Sequence, residues 1–391
     1  MKKNITHLLI ISPYLFLFTF SAIVENSSNW MVILSLTSII TSLVSYGLDP
    51  IRNNIKNISL IAIMLFSVYL SLHYLYNSGS PSLIRSYLSS VFLVLFFPSN
   101  LFTKKTLTWL VFIGSLVLSS NSFYYAFYLD RSRDAGLLNV IPYATFCSSI
   151  ALLAFYLFML NYKKKNSLIY LISFGLSTSA VFLTLSRGVW LAFIIAIIAM
   201  FFSKKTNRCL SLKMYTIFFM IFISLGLIFK GEIGNRINQT IVEYHKIKND
   251  DYSSSIGLRL QMWEIAFIIS KESFLFGISN HHHTMLENLV NTGKISNDFI
   301  KFKVHHFHNQ FIDTLVRFGV IGLILFTTFI FLPIYVAIKG SYIHKEIIIG
   351  ISFLYIISGL TDVPLNHSPT ILMYILMIIP LCLNNILTKD V

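Results

Sequence analysis

Long apolar runs separated by short polar turns recur along most of the chain. Twelve intervals carry them: 7–24, 29–47, 58–76, 83–103, 106–128, 138–161, 167–185, 189–203, 214–230, 311–337, 346–363 and 370–387. Roughly 20 apolar residues at about 1.5 Å each cross the hydrocarbon core of a bilayer, so each interval predicts a spanning helix. The expected fold class is therefore all-α: a polytopic membrane protein with about 12 transmembrane helices, forming a single membrane domain over residues 1–391. One connection breaks the rhythm. Residues 231–309 run between the ninth and tenth helices as one large inserted loop, polar enough to lie outside the membrane and carrying short amphipathic helices. Within it, 253–270 reads as a helix that opens on serine caps and ends before Gly277.

Composition agrees with this pattern: 55% of residues are hydrophobic, 12% are charged and the mean hydropathy is +0.72. A soluble globular chain is excluded, and so is intrinsic disorder. The formal net charge of +14 suggests nucleic acid until it is apportioned. With both termini on the inner side, the inner turns hold 16 of the 30 Lys and Arg, from Lys2 and Lys3 to Lys389, against only Asp49, Glu346 and Asp390. That is the positive-inside pattern of a membrane protein, and no nucleic-acid partner is expected. The first apolar run follows Met-Lys-Lys but is too long for a signal peptide and lacks a small-residue cleavage site, so it reads as an anchor. Cys147, Cys209 and Cys382 fall in spans and an inner turn, leaving no external disulfide or cysteine metal site.

The candidate chemistry sits at the outer boundary. On a helical wheel, Arg259 lies within about 80° of Met262, Trp263, Ala266, Ile256 and Phe267, in the middle of an apolar face. Either it snorkels at the lipid surface, or the face covers a cavity holding an anion, with Trp263 one turn away shielding it. Ser186-Arg187-Gly188 joins the seventh and eighth spans, where the fork of Arg187 matches phosphate oxygens and the glycine allows a close turn; lipid phosphate is the other ligand it suits. His308 lies where the loop re-enters the membrane, as a neutral base or as a helix-start histidine bonded to backbone. Asp313 and Arg317, spaced i and i+4, form an expected membrane ion pair that orients His308. Asp362, Asn366 and His367 line the same cavity from the last outer turn in this reading. The histidines His281, His282, His283, His305 and His306 make a metal site conceivable, but without an HExxH spacing or a nearby carboxylate pair none is expected.

Two segments resemble the O-antigen ligase and O-antigen polymerase superfamily. They are Leu183-Thr184-Leu185-Ser186-Arg187-Gly188-Val189-Trp190-Leu191-Ala192 and His308-Asn309-Gln310-Phe311, the latter followed by Leu315-Val316 and Gly319-Val320-Ile321-Gly322-Leu323. The likeness extends to the number of spans, inner termini and a long periplasmic loop before the tenth span. It implies a multi-pass bacterial inner-membrane glycosyltransferase with its active site facing the periplasm, inverting, metal-independent and without cofactor. Its donor would be undecaprenyl-diphosphate-linked O-antigen and its acceptor the lipid A-core of lipopolysaccharide, with membrane lipids around it. Carried over residue by residue, the resemblance makes Arg187, Arg259 and His308 catalytic: the arginines hold the diphosphate and the histidine takes the proton of the attacking hydroxyl. Trp263, Asn309, Arg317, Asp362 and His367 are the expected substrate-binding residues.

The single dominant outer loop favours a ligase over a polymerase, which would use a second lipid-linked glycan as acceptor. A protein-glycosylating relative is a third reading. From a different class, a transporter of lipid-linked sugars would place its polar sites near the bilayer midplane, whereas here the notable charges gather at the outer boundary.

Overall fold

The computed structural model describes residues 2–77, 79–131, 133–162, 164, 167–203, 226–279, 306–340 and 344–382, with isolated residues between 216 and 224 and between 287 and 292. Every regular element among them is helical. In chain order these are α1 (Lys2–Thr19), α2 (Ser27–Tyr46), α3 (Asp49–Asn54), α4 (Ile58–Asn77), α5 (Pro81–Phe96), α6 (Lys104–Phe123), α7 (Val140–Asn161), α8 (Ser167–Leu183), α9 (Arg187–Phe202), α10 (Lys230–Lys248), α11 (Ser255–Ser270), α12 (Gln310–Lys339), α13 (Lys345–Gly359) and α14 (Ser368–Cys382). Among the described residues, α2, α4, α6 with its following π turn, α7 and α12 are long and apolar enough to cross a membrane. The apolar helices of α1, α5, α8, α9 and α14 are shorter. The predicted ninth span, 214–230, and the histidines His281, His282, His283 and His305 lie largely or wholly outside the described residues.

The burial pattern inverts that of a soluble protein. Helix α2 turns Ser28, Ser35, Ser38 and Ser42 inward and leaves Ile33, Leu36 and Ile40 more than half exposed, as suits a helix whose outer face meets lipid tails. The small inward side chains bring backbones close, and two of them donate to carbonyls of neighbouring helices: Ser38 to Ile10 O at 2.8 Å and Ser42 to Phe96 O at 2.7 Å. The centre is formed by α7 and α14, apolar on every side and buried along nearly their whole lengths, as a helix without a polar stripe must be.

Helix α12 is broken near its N-terminal end, and the break positions the turn after α11. Gly319 has φ 66, outside helical space, so the amides that follow it lose their intrahelical acceptors. The turn after α11 replaces them. Phe274 O accepts from Val320 N at 2.9 Å, Leu275 O accepts from Ile321 N at 3.3 Å, and Ile278 N donates to Val316 O at 2.9 Å. On the other side Tyr69 of α4 donates to Phe318 O at 2.7 Å. Two amides and two carbonyls at the break thus find partners in protein, which is the condition for irregular backbone in a membrane span. The approach is so close that a Cβ on Gly319 would lie 2.2 Å from Leu275 O, and one on Gly277, at φ 75, would lie 2.4 Å from Arg317 O. Met262, Ile265, Ala266 and Ile269 of α11 complete the junction by packing on Phe307, Ile278 and Val316.

Candidate functional site

The chain turns sharply between α8 and α9. Thr184 Oγ1 folds back to donate to Val181 O at 2.7 Å, Leu185 takes a left-handed conformation at φ 52, and Ser186 leads into α9 with Arg187 as its first residue. Trp190 pins the elbow by donating its indole N–H to Val181 O at 3.0 Å. Its ring and that of Phe229 both lie against Phe182, which seats the start of α10 beside the elbow. Gly188 allows α9 to meet the turn between α13 and α14, since a Cβ there would stand 2.6 Å from Thr361 Oγ1.

Helix α10 then runs past Arg187. Its residues Arg236, Gln239, Thr240 and Glu243 fall on one face, at i, i+3, i+4 and i+7. Arg187 donates to Thr240 Oγ1 at 2.5 Å and pairs with Glu243 Oε1 at 2.9 Å. The other carboxylate oxygen of Glu243 accepts from Ile256 N, in the first turn of α11, at 3.3 Å. Ser254 caps that turn by accepting from Gly257 N at 3.1 Å. Glu243 therefore ties the elbow to α11.

These elements enclose a cavity of about 570 Å³. Four guanidiniums line it, Arg133, Arg187, Arg236 and Arg259, with Glu243 as the one carboxylate among its described lining residues. Ser186 to Gly188 and Ser255 to Ile256 also line it, so the first turns of α9 and α11 face the same space with their positive dipole ends. Arg259 and Arg133 make no hydrogen bond or ion pair among the described residues, while Arg236 donates to Gln239 Oε1 at 2.7 Å. Burial lowers the Arg259 guanidinium from its ordinary value, and Arg187 and Arg133 add to this against the pull of Asp362 and Glu243. The Arg236 guanidinium is lowered by burial and by the charges of Arg133 and Arg187. Crowded cations facing two helix N-termini give this cavity the electrostatic character that suits an anion.

Beside it, the chain entering α12 forms a second constellation. His308 sits in the left-handed region at φ 48, and its Nδ1 lies 3.1 Å from Asp362 Oδ1. His306 Nε2 approaches the same oxygen at 3.2 Å. Burial alone would raise the Asp362 carboxyl, yet the hydrogen bonds and charges of His306 and His308 hold it well below the usual carboxylate range. A His308 imidazole that donates Nδ1–H to this carboxylate would leave the lone pair on Nε2, the tautomer that a general base requires. The intervening Phe307 is fixed at both ends of its peptide: its N–H donates to Asp313 Oδ1 at 3.2 Å and its carbonyl accepts from Trp263 Nε1 at 2.9 Å. Trp263 lines the arginine cavity, as do Leu360 and Thr361 next to Asp362, so the imidazole pair stands at the cavity's edge. His306, His308 and Asp362 could also present three ligand atoms to a divalent cation, all within 4.8 Å of one another.

Comparison with known proteins gives this arrangement a context. Residues 172–327 match the O-antigen ligase family. The matched segment runs from α8 through Arg187, Arg259 and His308 into the middle of α12. The chain is 26% identical over 212 residues to the O-antigen ligase of Escherichia coli K12, covering 52% of this chain and 50% of that protein. It is also 23% identical over 262 residues to an uncharacterised protein of Haemophilus influenzae, covering 65% of each. The chain thus spans about half to two thirds of the length of these curated relatives.

Of the residues singled out in the sequence, the structure brings Arg187, Arg259 and Trp263 to one cavity, with His308 and Asp362 at its edge. Three others are placed differently. Asn309 spends its side chain as the cap of α12, its Oδ1 accepting from Phe311 N at 3.0 Å and Ile312 N at 3.2 Å. Arg317 pairs through Nε with Asp313 Oδ2 at 3.0 Å and lies against His73 and Ser279, outside the arginine cavity. His367 is packed near His306, its Nε2 buried among protein atoms. Phe267, expected on the covered face of α11, is 53% exposed, because the buried stripe centres on Met262, Ala266 and Ile269 instead. The sequence reading missed Glu243, Arg236 and Arg133. The i, i+4, i+7 spacing of Arg236, Thr240 and Glu243 was available as a signal; Arg133, on an irregular turn between Arg131 and Asp134, offered none.

Proposed function

We propose that this protein is a multi-pass inner-membrane glycosyltransferase that takes O-antigen glycan from undecaprenyl diphosphate and joins it, with inversion, to a hydroxyl of the lipid A-core. The observation that carries the reading is the meeting of Arg187 and Arg259 in one cavity with an ionised-carboxylate and histidine pair at its rim. A lipid-linked diphosphate ester brings its own leaving group, so the reaction needs no nucleotide sugar. The arginines neutralise the charge that grows on the departing diphosphate, and each such donor is worth about 3 to 4 kcal/mol in the transition state. His308 receives the hydroxyl proton and Asp362 stabilises the imidazolium that results. The metal-independent version of this mechanism assigns His306 to the same carboxylate as a hydrogen-bond donor.

The test is transfer by the purified full chain in detergent, given a polyprenyl-diphosphate-linked glycan and core acceptor. Activity that survives EDTA and disappears in His308→Ala and Arg187→Lys supports the mechanism, the latter because an ammonium does not reproduce a two-pronged fork. Transfer unchanged in His308→Ala would refute the role of the base, and loss with EDTA restored by zinc would move His306, His308 and Asp362 into a metal site. Deletion distinguishes the polymerase reading: a ligase-null strain accumulates lipid-linked polymer and bare core, a polymerase-null strain makes core bearing one repeat.

A further inference from the structure

His308 and Asp362 come from chain segments 54 positions apart. One segment, 306–313, leads into the first turn of α12, and the other, 360–367, joins α13 to α14. No backbone hydrogen bond links the two among the described residues, so side chains that cross between them set the reach of the imidazole to its carboxylate. Asn309 Nδ2 crosses to Leu360 O at 3.4 Å. Gln310 crosses with both ends of its amide: Oε1 accepts from Leu365 N at 2.8 Å, and Nε2 donates to Asn366 Oδ1 at 2.9 Å. Asn366 crosses back, its Nδ2 donating to Asp313 Oδ2 at 2.7 Å. The contacts thus fall on both sides of Asp362 in its turn.

Donors and acceptors in this crossing run in one direction. Leu365 N can only donate, so Gln310 turns Oε1 towards it and Nε2 towards Asn366, which in turn presents Oδ1 to Gln310 and Nδ2 to Asp313. The run ends on Asp313, which is fully buried and also accepts from Phe307 N at 3.2 Å and Arg317 Nε at 3.0 Å. All three partners are donors, and a carboxylate accepts from all of them where an amide does not. Reversing either amide only moves the mismatch along the run, and a buried mismatch is costly. The crossing therefore has one arrangement. Resting on the glycosyltransferase reading above, we propose that Gln310 and Asn366, locked by Asp313, are positioning residues that hold Asp362 within hydrogen-bond reach of His308. Neither amide is among the residues that line the arginine cavity, so their effect on transfer passes through the dyad. A misplacement of about 1 Å at a reacting group costs on the order of a hundredfold in rate.

Three measurements on the purified full chain test this. Transfer kinetics are compared for the wild type, for Gln310→Met, which keeps the side chain's length and loses both contacts, and for Asn54→Leu. Asn54 is a buried amide of α3 that donates to Val94 O at 2.8 Å and Phe97 O at 2.9 Å, so its loss reports lowered stability alone. Gln310→Met is expected to lower kcat about a hundredfold with the donor KM within a few-fold, while Asn54→Leu keeps its kcat at a comparable fall in thermal midpoint. A wild-type kcat in Gln310→Met, or a like fall in Asn54→Leu, overturns the positioning role. If Gln310→Met does not fold, Asp313→Asn takes its place, compared with Asp313→Asn combined with Asn366→Asp. The combination returns one carboxylate and one amide to the crossing and loses only the Arg317 contact, so it should regain about tenfold in kcat over the single substitution. No regain overturns the lock. In the third measurement, proton–nitrogen spectra of histidine-labelled protein follow the Nδ1–H that faces Asp362. Its downfield resonance is expected in the wild type and in Asn54→Leu and is lost in Gln310→Met; a resonance that persists there overturns the proposal. Wild-type protein that shows the resonance, loses it in Gln310→Met and yet transfers no glycan would leave the positioning in place and defeat the glycosyltransferase reading, so the two failures are separable.

Discussion

Asp362 has the most demanding position of any single residue. It is 1% exposed, and one oxygen serves two imidazoles. Asp362→Asn removes the charge and offers an amide of mixed polarity in its place, so His308 loses both its tautomer and its counter-ion. Turnover is expected to fall roughly a thousand- to ten-thousand-fold with the protein still folded, as read by steady-state transfer beside a thermal melt. His367 gives a different signature. Burial brings its imidazole down to about 4, against about 6.5 in an unfolded chain. Between those values the unfolded chain binds the proton and the folded one does not, so the contribution of His367 is whole above about 6.5 and is lost as pH falls towards about 4. Thermal midpoints measured across that window should decline in the wild type and decline less in His367→Asn.

At the scale of elements, two contacts decide whether the cavity exists. The elbow before α9 needs Gly188 because Thr361 stands against it. Gly188→Ala is expected to destabilise the protein and cut transfer, and Thr361→Ala added to it should restore most of the loss. A double-mutant cycle on the thermal midpoint measures the coupling, which should exceed about 0.5 kcal/mol for side chains in direct contact. The motif in the sequence pointed to Arg187 through its residue types alone. What it could not convey is that α10 would lay Glu243 across the guanidinium, since that pairing joins residues 56 positions apart. The ion pair of Asp313 and Arg317 was legible because it is local, one turn of one helix. The dyad of His308 and Asp362 was only half legible: each residue stood out by its chemistry, but their union depends on how α13 and α12 pack.

For the whole molecule, hydropathy made the helical class and most helix positions readable, because lipid demands long apolar runs and permits little else. The arrangement of those helices was not readable: α7 and α14 look much like their neighbours in sequence, yet they form the buried centre. The distribution of Lys and Arg adds an orientation that labelling can check. Lys246→Cys, exposed on α10, should react with a membrane-impermeant maleimide in intact spheroplasts when Cys209 is replaced by Ser. Lys164→Cys, between α7 and α8, should react only after the membrane is opened. The opposite outcome would place the arginine cavity on the inner side and remove the periplasmic donor from the mechanism.

The clasp between the turn after α11 and the broken end of α12 is made mainly from main-chain atoms. Such a fastening asks little of side-chain identity beyond two positions that must stay bare, Gly277 and Gly319. The helix that carries Arg259 can therefore accept extensive drift in its wording while keeping its fastening, which makes those two bare positions a better guide than overall similarity when searching for distant proteins built the same way.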